Sequence, residues 1–132
     1  MNLFKKLLSL FLLLGILLIP SDVSARGGGC SVDLDAQIMS QNKIVFDVDW
    51  SSNTSWNNTL HHIRIWDRSS GSGKLIFDSG ARPFMGPTTQ TSGSYTLTRT
   101  GTNFRHGGTY RVVILANCRN AGVDFDYVDI TR

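Results

Sequence analysis

FRHGGTYRVVILANC, residues 104–118, is the most regular stretch of the chain and the one on which the fold turns. Successive side chains of an extended strand point to opposite faces. Tyr110, Val112, Ile114, Ala116 and Cys118 therefore share one side, and Arg111, Val113 and Leu115 share the other. The first set is apolar throughout and reads as the face turned to a core. That this strand stops on a core-facing cysteine raises the question of what the cysteine holds.

The same period-two alternation recurs on both sides of this stretch. In SVDLDAQIM, Val32, Leu34, Ala36 and Ile38 line one face against Asp33, Asp35 and Gln37. In KIVFDVDW, Ile44, Phe46, Val48 and Trp50 lie opposite Asp47 and Asp49. LHHIRIWD places Ile63 and Ile65 against His62, Arg64 and Trp66; KLIFD, SYTLTRT and VDFDYVDI are further short runs. Residues 79–93, with Pro83 and Pro87, are irregular, and whether they order into a strand stays open. Composition agrees: all ten acidic residues are aspartate, no glutamate occurs, and Thr, Ser, Val and Ile are frequent. About seven short strands at this spacing, with no helical segment, read as an all-β antiparallel sandwich.

The first residues, MNLFKKLLSLFLLLGILLIPSDVSA, stand apart from this pattern. Lys5 and Lys6 precede an apolar run over 7–19, and VSA supplies small or compact residues before a cleavage point after Ala25. The run falls short of the roughly 20 residues that a spanning helix needs, so residues 1–25 read as a signal peptide and 26–132 as one domain. The product is then secreted, either extracellular or periplasmic, with no membrane span after cleavage. Cys30 in GGGC invites a lipoprotein reading, but the aliphatic residue expected three positions earlier is Gly27. Lys5, Lys6 and Asp22 leave with the leader, so the mature chain is nearly neutral. No run of Lys or Arg gives it the electrostatic footprint of a nucleic-acid binder.

Two motifs resemble the fibronectin type III family. Trp50 ends IVFDVDW where that family's second strand ends on tryptophan. FRHGGTYRVVILAN is similar to the family's entry into its sixth strand, with Phe104 for a leucine, Gly107 in place and Tyr110 where the corner tyrosine belongs. His106 departs from the family's proline, and a cysteine pair is not typical of it. The resemblance implies a seven-stranded antiparallel sandwich of immunoglobulin-like type and, because fold does not give function, no activity. Two cysteines in a secreted chain pair by default. In such a sandwich the start of the first strand and the end of the sixth lie at one pole, so Cys30 and Cys118 can meet there and clasp it.

That pole is the leading candidate surface. It would carry Trp56, Asn57 and Asn58 from the loop after the second strand, and Arg119 and Asn120 from the loop after the sixth. Trp56, an aromatic in a polar loop, is either an exposed anchor for a partner or sugar ring or a lid over the open end of the core. The second candidate is the outer face of the sheet holding the third, sixth and seventh strands. It presents Arg64, Trp66, Arg111, Val113 and Leu115, and Phe125 or Tyr127 can join them. Residues 79–93 could instead pack across it. Asn53 and Asn57 begin glycosylation sequons, which matter only in a eukaryotic host.

Chemical motifs are poor. Asp33, Asp35, Asp47 and Asp49 share a face and suggest calcium, but no Asp-x-Asp-x-Asp-Gly loop accompanies them. His61 and His62 are adjacent in a strand and point apart, and SGSGKLIF lacks the first glycine and the Ser/Thr of a phosphate loop. No Gly-x-Ser-x-Gly elbow occurs, so no enzyme, metal or cofactor is expected. ARPF and GPTTQT echo the loops of chagasin-type cysteine protease inhibitors, but in reversed order. The expected function is non-catalytic binding of an extracellular protein or glycan through the loop pole. The alternative is a self-associating assembly subunit that uses the sheet face, and a protease inhibitor ranks below both.

Overall fold

The computed structural model describes residues 29–132; the leader predicted for residues 1–25 lies outside them. The strands are β1 (Cys30–Ser40), β2 (Lys43–Ser52), β3 (Leu60–Asp67), β4 (Lys74–Asp78), β5 (Ser92–Thr100), β6 (Thr109–Asn117) and β7 (Val123–Thr131). They form two antiparallel sheets, ordered β1-β2-β5 and β4-β3-β6-β7, packed as an immunoglobulin-like sandwich. Single 3₁₀ turns lie at Trp56–Asn58 and Arg119–Ala121. Residues 79–91 do not become a strand: they make one isolated bridge, His61 to Arg82. Two prolines in that segment remove the backbone donors a ladder requires.

The expected core faces are buried. Val32, Ile44, Phe46, Val48, Ile63, Ile65, Tyr110, Val112 and Ile114 fill the space between the sheets. The turn into β6 locks its register. The Tyr110 hydroxyl accepts the backbone N–H of Arg105 at 2.6 Å, tying the strand to the turn that feeds it. Phe104 packs edge-on against the Tyr110 ring, with centroids 5.1 Å apart. Gly107 takes φ 77°, where a side chain is strained. At Gly108 a Cβ would lie 2.6 Å from the Tyr110 hydroxyl and 2.9 Å from the Arg105 carbonyl, so both glycines belong to the corner.

Cys30 and Cys118 form the disulfide, with Cα atoms 5.8 Å apart across a sequence separation of 88. It joins the first residue of β1 in one sheet to the residue after β6 in the other, at the pole predicted. Cys118 thus holds the free N-terminal edge of the sandwich.

The lateral edge beside β1 is closed differently. Asp124 on β7 accepts the backbone N–H of Val32 at 3.0 Å, and Asp126 accepts that of Leu34 at 2.8 Å. Carboxylates thereby satisfy donors that a further strand would otherwise have taken, which blunts an exposed edge. With Asp124 and Asp126 turned inward, the alternation of β7 sends Val123, Phe125 and Tyr127 outward.

Two stability measurements follow from these contacts. Removing the clasp by Cys30→Ser/Cys118→Ser should lower unfolding free energy by about 4–5 kcal/mol on the chain-entropy account, read by denaturant titration. Asp124→Ala should cost about 1–3 kcal/mol, because it strands the buried Val32 N–H, and hydrogen exchange at Val32 should accelerate.

Candidate functional site

The loop pole does not present Trp56. Its side chain is 1% exposed and lies inside the sandwich end. The ring packs on Trp50 at 4.7 Å, His61 at 4.9 Å and Tyr95 at 5.8 Å between centroids, and its indole N–H donates to the Met85 carbonyl at 3.3 Å. The exposed-anchor expectation is therefore corrected: Trp56 is a lid. The physical reason is that a two-sheet sandwich is open at its ends, and a large apolar ring gains more by filling that opening than by standing in water. What stays exposed at the pole is polar: Asn57, Asn58, Arg119 and Asn120. Asn57 accepts the Thr88 N–H at 3.0 Å, and Asn117 accepts the Arg119 N–H at 2.9 Å, where Arg119 takes φ 53°.

Of residues 79–93, Ser92 and Gly93 open β5, and 79–91 serve this lid and do not cover the sheet face. Arg82 bridges His61, Gln90 accepts the Trp56 N–H at 2.8 Å, and Phe84 stacks on Tyr95 with centroids 5.9 Å apart. Beneath the lid, His61 is 0% exposed and its Nδ1 meets the Tyr95 hydroxyl, while its Nε2 and the Trp50 Nε1 have no partner. Burial holds the His61 imidazole down at about 4, from 6.5, and pushes the Tyr95 phenol well above its ordinary value.

The outer face of β4-β3-β6-β7 is where apolar side chains meet solvent. Phe125 is 60% exposed, Val123 55%, Tyr127 49% and Leu115 43%. Cross-strand register sets them side by side: Leu115 opposite Phe125, Val113 opposite Tyr127, Arg64 opposite Val113, and Trp66 opposite Arg111. At the edge, Leu75 lies opposite Trp66. Of the large hydrophobic side chains exposed among the described residues, only Met39 lies away from this face.

Charged pairs rim the patch. Arg111 makes a two-pronged bond to Asp129 at 2.8 and 2.9 Å, and its guanidinium lies over the Tyr127 ring at 4.4 Å. That bond holds the Asp129 carboxyl below the usual carboxylate range. Asp78 is likewise lowered, first by the Gly80 N–H and then by His62, which contacts it; Arg64 adds a longer bond at 3.3 Å. The structure thus brings Arg64, Trp66, Arg111, Val113 and Leu115 onto one surface, where both Phe125 and Tyr127 join them, and adds Val123.

The opposite sheet is acidic. Asp33 faces Asp49, and Asp35 faces Asp47, with Ser94 and Thr96 hydroxyls donating to Asp49 and Asp47 at 2.5 and 2.7 Å. Among the described residues no three His, Cys, Asp or Glu side chains are placed to hold a metal ion, so the calcium suggestion finds no site. Strand alternation spreads these carboxylates as two cross-strand pairs on one face, where a calcium site needs more oxygens to converge on one point.

No protein family model matches the chain, and no curated protein matches it. Among solved structures, two crystal forms of OgpA from Akkermansia muciniphila are similar to it at 12% and 14% identity, each with a TM-score of 0.48. The alignments cover 79% of this chain but 28% and 29% of the OgpA chains, so the protein spans under a third of that neighbour's length.

The buried histidine gives a pH test. The unfolded chain takes up a proton near 6.5 that the folded one refuses until about 4. His61 burial is therefore harmless above pH 6.5, and stability falls as pH drops to about 4, by about 3 kcal/mol. Asp67, Asp78 and Asp129, all lowered from 3.8, contribute their losses below that window. Denaturant titrations at pH 7 and pH 4 should show this drop in the wild type and a much flatter dependence in His61→Phe.

Proposed function

We propose that the protein is a secreted, non-catalytic binding module of fibronectin type III type that recognises another protein outside the cytoplasm through the outer face of β4-β3-β6-β7. The observation that carries this reading is the polarity of β7, whose aspartates face inward and whose Val123, Phe125 and Tyr127 face water. Contiguous exposed apolar side chains cost solubility and commonly mark an interaction surface, and aromatics with arginine are the residues enriched in such patches. The loop pole offers amides and one arginine with no exposed aromatic, which makes it the weaker surface. The strand order, the Tyr110 corner and the buried Trp50 support the type III assignment. The disulfide supports an oxidising compartment.

A photo-crosslinker at position 125, applied in the native extracellular fraction, should trap a protein that can then be identified and purified. The reconstituted complex should weaken by about 10-fold or more with Phe125→Asp, a central aromatic contact, and be unchanged by Asn120→Ala. Binding that survives Phe125→Asp but is lost with Asn57→Ala or Asn120→Ala would return recognition to the pole. Crosslinks of the chain to itself, with concentration-dependent sedimentation abolished by Phe125→Asp, would make it an assembly subunit.

A further inference from the structure

The recognition face has two unlike ends. Toward the disulfide pole it is apolar, with Leu115, Val123 and Phe125. Toward the β3–β4 turn it sinks into a pocket of about 350 Å³, lined by Trp66, Val113, Arg68, Arg111 and the loop 71–73. The pocket has an aromatic and aliphatic wall and two guanidinium groups, with no lysine or carboxylate lining it.

The two arginines differ in how far they are satisfied. Arg111 is committed to Asp129 through Nε and one terminal nitrogen, which leaves its other terminal N–H groups free of that bond. Arg68 has no ion-pair partner among the described residues, although its charge helps hold Asp129 ionised. On the outer face Arg64 and Arg111 have Asp78 and Asp129, and Arg68 is the cation left over. The opposite sheet face carries Asp33, Asp35, Asp47 and Asp49, so the molecule is electrically two-sided. Such a face complements a partner with negative charge at this end.

We infer that this pocket is the socket for an acidic side chain of the partner protein, carried beside an apolar one. The apolar side chain lies on Trp66 and Val113, and the carboxylate lies between the Arg68 and Arg111 guanidinium groups. A planar fork of N–H donors matches the two oxygens of a carboxylate, and a site partly walled by indole strengthens that bond over its value in open water. This rests on the outer face being the recognition surface, and it adds that the partner's motif is apolar-acidic.

The test uses the capped peptide acetyl-Leu-Asp-Leu-amide as probe, titrated into the full mature chain and followed by ¹H–¹⁵N spectra. The Trp66 indole N–H and the Arg68 Nε–H cross-peaks should move together. The asparagine peptide acetyl-Leu-Asn-Leu-amide should bind about 10-fold more weakly, the ratio expected for a charge-assisted bond. Arg68→Gln should erase that preference while the remaining spectrum stays folded. Three results would each overturn the socket: no movement at Trp66 up to about 20 mM peptide, equal response to the aspartate and asparagine peptides or to inorganic sulfate, or a preference unchanged in Arg68→Gln. If the socket fails while a partner still depends on Phe125, only the socket falls; if Phe125→Asp is silent, the recognition face falls with it.

Discussion

The structure hangs on a small exchange at one lateral edge: two aspartate side chains of β7 bond the outward N–H groups of β1. A β-sandwich must do something with the free donors of its first strand, because buried or half-buried amides without partners are costly. Here the answer comes from side chains of the facing sheet. Since Asp124 and Asp126 must point inward to reach β1, the intervening Phe125 must point outward, and so must Val123 and Tyr127. The edge closure and the apolar outer face are one decision made by a single strand.

Around that edge the rest of the molecule divides its labour. The disulfide ties the N-terminal end of β1 to the end of β6, so the strand whose donors Asp124 and Asp126 satisfy is also held covalently. The Tyr110 corner fixes the register of β6, and β6 in turn sets where β3 and β7 place their outer residues. The aromatic group of Trp50, Trp56, His61 and Tyr95 closes the pole and takes the irregular segment 79–91 as its cover. That segment is consequently unavailable to shield the outer face of β4-β3-β6-β7.

The fold was largely legible because alternation with period two is a local property. Ile44, Phe46, Val48 and Tyr110, Val112, Ile114 needed only their own strands to be placed in the core. Trp56 was not legible: a tryptophan among Ser and Asn has no period to read, and whether it stands out or folds back depends on an opening made by two sheets. β7 was ambiguous for a related reason. VDFDYVDI alternates equally well with its aromatics inward or outward, and only the unpaired edge of β1, distant in sequence, breaks the tie. The pocket at Trp66, Arg68 and Arg111 joins a strand, a turn and another strand, so no spacing announces it.

By itself the sequence determined the seven strands, the core faces of β1, β2, β3 and β6, the corner at Tyr110 and the pairing of Cys30 with Cys118. The strands and their faces follow from side-chain alternation, the corner from the resemblance to type III domains, and the disulfide from there being two cysteines to join. Only the tertiary structure decided that Trp56 is a lid, that residues 79–91 cover the pole, and that they thereby leave the face bearing Phe125 and Tyr127 to water. The reason is physical: side-chain alternation is set within a strand, but which of two alternating faces is buried is set by the hydrogen bonds and openings that other strands leave to be filled.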